Sequence, residues 1–132
     1  MFLDRLRPYL IEGALQRGMS RAARLIGRSV EEAAYELGNG SRVTAQDTVP
    51  FALWAAAAHL DDYPAAITAC ITAGGDVDTT AAIVGGIVAT YTGIGERPDA
   101  TGVPQAWIEA REPLPPWATH NPSRDDGEQT EP

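Results

Sequence analysis

The chain contains no lysine: all ten of its basic residues are arginines, set against eighteen acids for a formal charge of −8 over 132 residues. No basic stripe is available to neutralise phosphates, so nucleic acid and anionic membrane surfaces are excluded as expected partners. An anionic ligand would need a local device such as a metal ion. Cys70 is the lone cysteine, so no internal disulfide can form, which fits a reducing, cytoplasmic location. Histidines number two, His59 and His120, too few and too far apart for a histidine metal cluster. A signal peptide is not expected, because Asp4, Arg5 and Arg7 interrupt the opening residues. Strand-like alternation is lacking as well, and the apolar runs are shorter than the about 20 residues a membrane span needs.

What is present is a helical pattern. Hydrophobic residues make up 44% of the chain, enough for one domain with a real core, and the expected class is all-α, a bundle-like orthogonal array. Phe2 to Gln16 carries apolar residues near helical spacing, with Pro8 as an interruption and a break at Gly18 and Ser20. A helix from about Arg21 to Ile26 follows. Ser29-Val30-Glu31-Glu32 reads as a capping box opening the next helix, which ends at Leu37-Gly38, and Gly38 to Ser41 is a turn. Thr48-Val49-Pro50 and Asp62-Tyr63-Pro64 each set a capping side chain ahead of a proline, predicting two helices with matching starts. His59 falls near the end of the first, placed to meet terminal carbonyls, and Cys70 falls on the apolar stripe of the second as a small core residue. Residues 94–102 read as a polar loop, Val103-Pro104 starts a short helix, and Pro113 to Trp117 reads as extended, polyproline-like chain. The helical domain is expected over residues 1–117 and a disordered acidic tail over 118–132.

The stretch Ala73 to Gly93, AGGDVDTTAAIVGGIVATYTG, has the least freedom of interpretation. Gly74 and Gly75 suit a loop that brings backbone close to a ligand. Asp76 and Asp78 would point about 200° apart inside a helix; they can share a target where a loop turns into a first helical turn. With the Thr79 hydroxyl they offer oxygen donors of the kind magnesium demands. The run from Ala81 to Ala89 lacks a polar face and predicts a helix buried on all sides, with Gly85 and Gly86 admitting close neighbours and Gly93 as its stop. The alternative is a core helix that Asp78 merely caps. An EF-hand is excluded, because counting from Asp76 its required glycine and glutamate positions hold Ala81 and Ile87. A haloacid-dehalogenase-type D-x-D-x-T start is disfavoured, because Thr72-Ala-Gly-Gly precedes it rather than an apolar strand.

Taken together, Asp47-Thr-Val-Pro-Phe-Ala-Leu-Trp, the helix at Tyr63 to Ile71, GGDVDTTAAIVGG and Val103-Pro-Gln-Ala-Trp107 resemble the C-terminal part of the ADP-ribosylglycohydrolase family, dinitrogenase-reductase-activating type. The likeness runs from about Gly38 to Trp107. It implies an all-α fold and a hydrolase that cleaves the glycosidic bond of ADP-ribose at a binuclear magnesium centre. It further implies Asp76, Asp78 and Thr79 as metal ligands, Gly74 and Gly75 as room for the bound ribose, and an ADP-ribosylated protein or ADP-ribose conjugate as substrate. It assigns no catalytic residue. Family members add a Thr-Asp-Asp cluster from an N-terminal half, which this sequence lacks; Asp61-Asp62 has no threonine before it. Thr72 stands where the family commonly has asparagine, and Val77 where it has threonine. The expectation is therefore a fragment with at most a partial magnesium site, completed by a complementary N-terminal half or by self-association. The alternative expectation is an inactive remnant or helical assembly module.

Overall fold

The computed structural model describes residues 2–9 and 12–119. Helix α1 spans Phe2–Leu6 and runs into a single 3₁₀ turn at Arg7–Tyr9, where Pro8 prevents an α-helix from continuing. Helices α2 (Ala14–Arg24), α3 (Val30–Leu37), α4 (Ala45–Ala58), α5 (Tyr63–Ala73) and α6 (Val77–Thr92) form the body. Two short strands, β1 (Glu96–Arg97) and β2 (Ala100–Thr101), pair antiparallel, and α7 (Gln105–Ala110) and α8 (Pro116–Thr119) follow. The fold is all-α, as expected. No helix among the described residues is long and apolar enough to cross a membrane.

Helix α4 occupies the centre and packs against α1, α2, α3, α5 and α6. Its alanines keep it slim enough for so many neighbours, while Phe51 and Trp54, both fully buried and stacked at 5.8 Å, fill the space between them. Trp54 leaves no buried donor unsatisfied: its indole N–H donates to the Leu25 carbonyl at 2.9 Å. The start of α4 differs from the expected one. Thr44, not Thr48, is its N-cap residue, and Pro50 lies inside the helix. An interior proline forfeits a backbone bond, and here it fills a close contact: a Cβ on Gly18 would lie 2.6 Å from the Pro50 ring. The same contact explains why Gly18 and Ser20 do not break α2, for Gly18 serves as the notch that admits Pro50.

Other starts and stops hold. The Ser29 hydroxyl accepts the Glu32 amide at 3.2 Å, and the Asp62 carboxylate accepts the Ala65 amide at 3.0 Å one residue ahead of the Tyr63-Pro64 start. Helix α6 ends at Gly93, whose φ of 74° favours glycine. His59 ends α4 as expected, its ring edge-on to Trp54 at 6.4 Å.

Further expectations need correction. The hairpin of β1 and β2 sits where a loop was expected, because Gly95 and Gly102 come together there, the Gly102 amide donating to the Gly95 carbonyl at 2.7 Å. The end of the expected extended stretch, Pro116 and Trp117, is helical, and α8 carries on through the first two residues, 118–119, of the expected disordered tail. Helix α6 is not covered on all sides: Thr80, Val84, Gly85, Val88 and Thr92 are buried, whereas Ala82, Gly86 and Thr90 face outward. Only α4 and α5 cover it extensively, and two neighbours cannot enclose a cylinder. Gly85 does admit a close neighbour, the Tyr63 hydroxyl lying 3.0 Å from where its Cβ would be, but Gly86 meets nothing. The acidic tail expected from residue 118 lies, beyond residue 119, outside the described residues.

Candidate metal centre

The loop between α5 and α6 consists of Gly74, Gly75 and Asp76. Gly74 ends α5 at φ 64°, ψ −151°, a region open only to glycine, and Gly75 continues at φ 71°. The two turn the chain so that Asp76 becomes the N-cap of α6. One carboxylate oxygen of Asp76 accepts the Thr79 amide at 3.2 Å, so Asp76, rather than Asp78, is the capping residue. Asp78 and Thr79 follow in the first turn, both exposed, while Asp76 is half-buried. The structure therefore sets Asp76, Asp78 and Thr79 at one solvent-facing helix start, where the helix dipole favours the negative charge of the two carboxylates.

The next residue turns inward. The buried Thr80 hydroxyl donates to the Asp76 carbonyl at 3.0 Å and to the Val77 carbonyl at 3.2 Å, tying the cap to the helix. Behind it, Cys70 of α5 is fully buried. Burial pushes its thiol up from the ordinary value, and a hydrogen bond with the Thr80 side chain pulls it part of the way back. A buried, protonated thiol is a poor nucleophile, consistent with Cys70 as a core residue.

The two glycines differ in what surrounds them. A Cβ on Gly74 would meet nothing within 4 Å, leaving open space beside the loop. A Cβ on Gly75 would run into Asn39, from the turn between α3 and α4. By its sequence Asn39 belongs to a turn and nothing more, since Gly38 and Gly40 on either side suit any tight turn. Its backbone carbonyl accepts the Asp76 amide at 3.0 Å, and its side-chain amide donates to the Ala73 carbonyl at 3.0 Å.

The donor chemistry fits magnesium in kind, since carboxylates and a hydroxyl are hard oxygen ligands. It falls short in number. Among the described residues no three or more His, Cys, Asp or Glu side chains come together in a group that could hold a metal ion.

Neither the curated proteins nor the solved structures contain a match to the chain. A family model described as ADP-ribosylglycohydrolase matches residues 2–126, which extends the likeness beyond 38–107 on both sides. With all but its outermost residues matched, the chain belongs to the ADP-ribosylglycohydrolase family.

Proposed function

We propose that this chain supplies one side of a magnesium site for hydrolysis of an ADP-ribosyl glycosidic bond, the remaining donors coming from a complementary segment or chain. The observation that carries this reading is the placement of Asp76, Asp78 and Thr79 at the exposed start of α6, with no third acidic or histidine side chain grouped with them among the described residues. Asp76 and Asp78 would hold the ion through carboxylate oxygens and Thr79 through its hydroxyl. When bound, magnesium supplies positive charge for ribose hydroxyls and acidifies a water molecule. The chain's own residues do the rest: the Asp76 carboxylate caps the start of α6 through the Thr79 amide, and the bare edge at Gly74 leaves room for a sugar to approach. A net charge of −8 repels a pyrophosphate-bearing substrate, so binding should depend on the cation.

The test is a manganese titration of the full chain followed by spin resonance, since oxygen sites that take magnesium also take manganese. The chain should bind weakly, and Asp78→Asn should bind more weakly still. Release of ADP-ribose from a modified protein should appear only with the complementary part added. Equal manganese binding by the chain and by an Asp76→Asn, Asp78→Asn double variant would overturn the reading. A second reading, assembly without catalysis, is favoured by the uncovered side of α6, where Phe2, Leu6, Leu53, Gly86, Ile87 and Tyr91 line an apolar groove. It requires concentration-dependent sedimentation that persists in both aspartate variants.

A further inference from the structure

The aspartate loop does not hold its own shape. Its conformation is imposed from a turn 34 residues earlier in the chain. Asn39 meets the loop at three points: its carbonyl receives the Asp76 amide at 3.0 Å, its side-chain amide reaches the Ala73 carbonyl at 3.0 Å, and its atoms fill the space where Gly75 lacks a Cβ. A fourth contact runs the other way, for a Cβ on Gly40 would lie 2.8 Å from Asp76 Cβ. The two segments interlock, each using a glycine to admit a residue of the other: Gly75 admits Asn39, and Gly40 admits Asp76.

The turn is itself held by Asp47, in the first turn of α4. One carboxylate oxygen of Asp47 accepts the Arg42 amide at 2.8 Å, its carbonyl accepts the Gly40 amide at 3.1 Å, and its side chain fills the space beside Gly38. Within the turn, the Asn39 side-chain oxygen accepts the Ser41 hydroxyl at 2.6 Å, fixing which face of its amide points at Ala73. Asp47, Asn39 and Asp76 thus form a relay of contacts from the central helix to the cap of α6. Neither Asn39 nor Asp47 is needed to satisfy the loop's own cap, which Asp76 completes with Thr79.

We infer that Asn39 and Asp47 are positioning residues for the Asp76–Thr79 donor set: they set the loop geometry in which those oxygens reach a common ion. The inference rests on the magnesium reading for its purpose and on the contacts above for its mechanism, so the two can fail separately.

Amide hydrogen exchange and manganese titration of the full chain test it together. Losing one brace hydrogen bond in Asn39→Ala or Asp47→Ala should speed exchange at the Asp76 amide by about two- to tenfold. Exchange at Val84 and Val88, deeper in α6, should stay as it is. Manganese binding should weaken by about tenfold or more, as for supporting residues of other metal sites. Asp47→Asn keeps an acceptor for the Arg42 amide and should restore both readouts. If Asn39→Ala does not fold, Asp47→Ala compared with Asp47→Asn decides the matter alone. The positioning role is overturned if Asp76 exchange is unchanged in the alanine variants, if Val84 and Val88 accelerate equally, or if Asp47→Asn behaves like Asp47→Ala. A chain that binds no manganese, yet shows the localised exchange change and its rescue, would remove the magnesium reading and leave the brace standing.

Discussion

Helices α5 and α6 begin with the same device. Asp62 accepts the amide three residues on at 3.0 Å, and Asp76 does so at 3.2 Å. Everything around the two caps differs. Asp62 is followed by Tyr63 and Pro64, which start the helix, and its neighbourhood is tied to β2 by the Thr101 amide donating to the Asp61 carbonyl at 2.7 Å. Asp76 is preceded by two glycines in left-handed conformations, followed by a second carboxylate and a hydroxyl, and braced by Asn39. A capping aspartate stabilises a helix wherever it occurs. What distinguishes the second cap is a loop shape that the helix does not require and that a distant turn maintains.

The comparison can be broken most severely at the glycines. Gly75→Ala must move Asn39 as well as adopt a strained backbone, and should cost about 2 kcal/mol or more in urea unfolding. Gly74→Ala carries only the backbone strain, about 1–3 kcal/mol, and should leave the Asn39 contacts intact. No site around the α5 cap has this sensitivity. Next in size, Asp62→Ala and Asp76→Ala should each lower stability by about 1 kcal/mol through the lost cap. Only the second should change manganese binding; equal binding in both variants would erase the distinction drawn here. The smallest effect belongs to Cys70, which lies on α5 against Thr80 of α6. Its folded thiol holds its proton to higher pH than the unfolded one, so its contribution is complete below the ordinary unfolded value and fades as pH rises through the folded value. Cys70→Ala should flatten that alkaline decline in a series of thermal melts.

The α5 and α6 starts were readable from sequence because an N-cap aspartate, a first-turn proline or a terminal glycine acts within one turn of chain. The start of α4 was not, for the same pattern at Thr48-Val49-Pro50 is overridden by packing: Pro50 is accommodated within the helix against Gly18, a contact that no local rule contains. The β1–β2 pairing escaped because strands of two residues are too short for alternation to register. In the site, Asp76, Asp78 and Thr79, the candidate donors, were legible as a cluster in the chain. Their brace was not, since Gly38-Asn39-Gly40 is indistinguishable from an ordinary turn until the fold brings Gly75 against it.

The interlock of Gly40 with Asp76 and of Gly75 with Asn39 also carries a message about timing. A hairpin of α5 and α6 can coil up early from neighbouring residues, but the bend joining them acquires its final curvature only when the segment ahead of α4 swings in and latches. Until that latch closes the acidic corner would stay slack, and closing it would stiffen the corner.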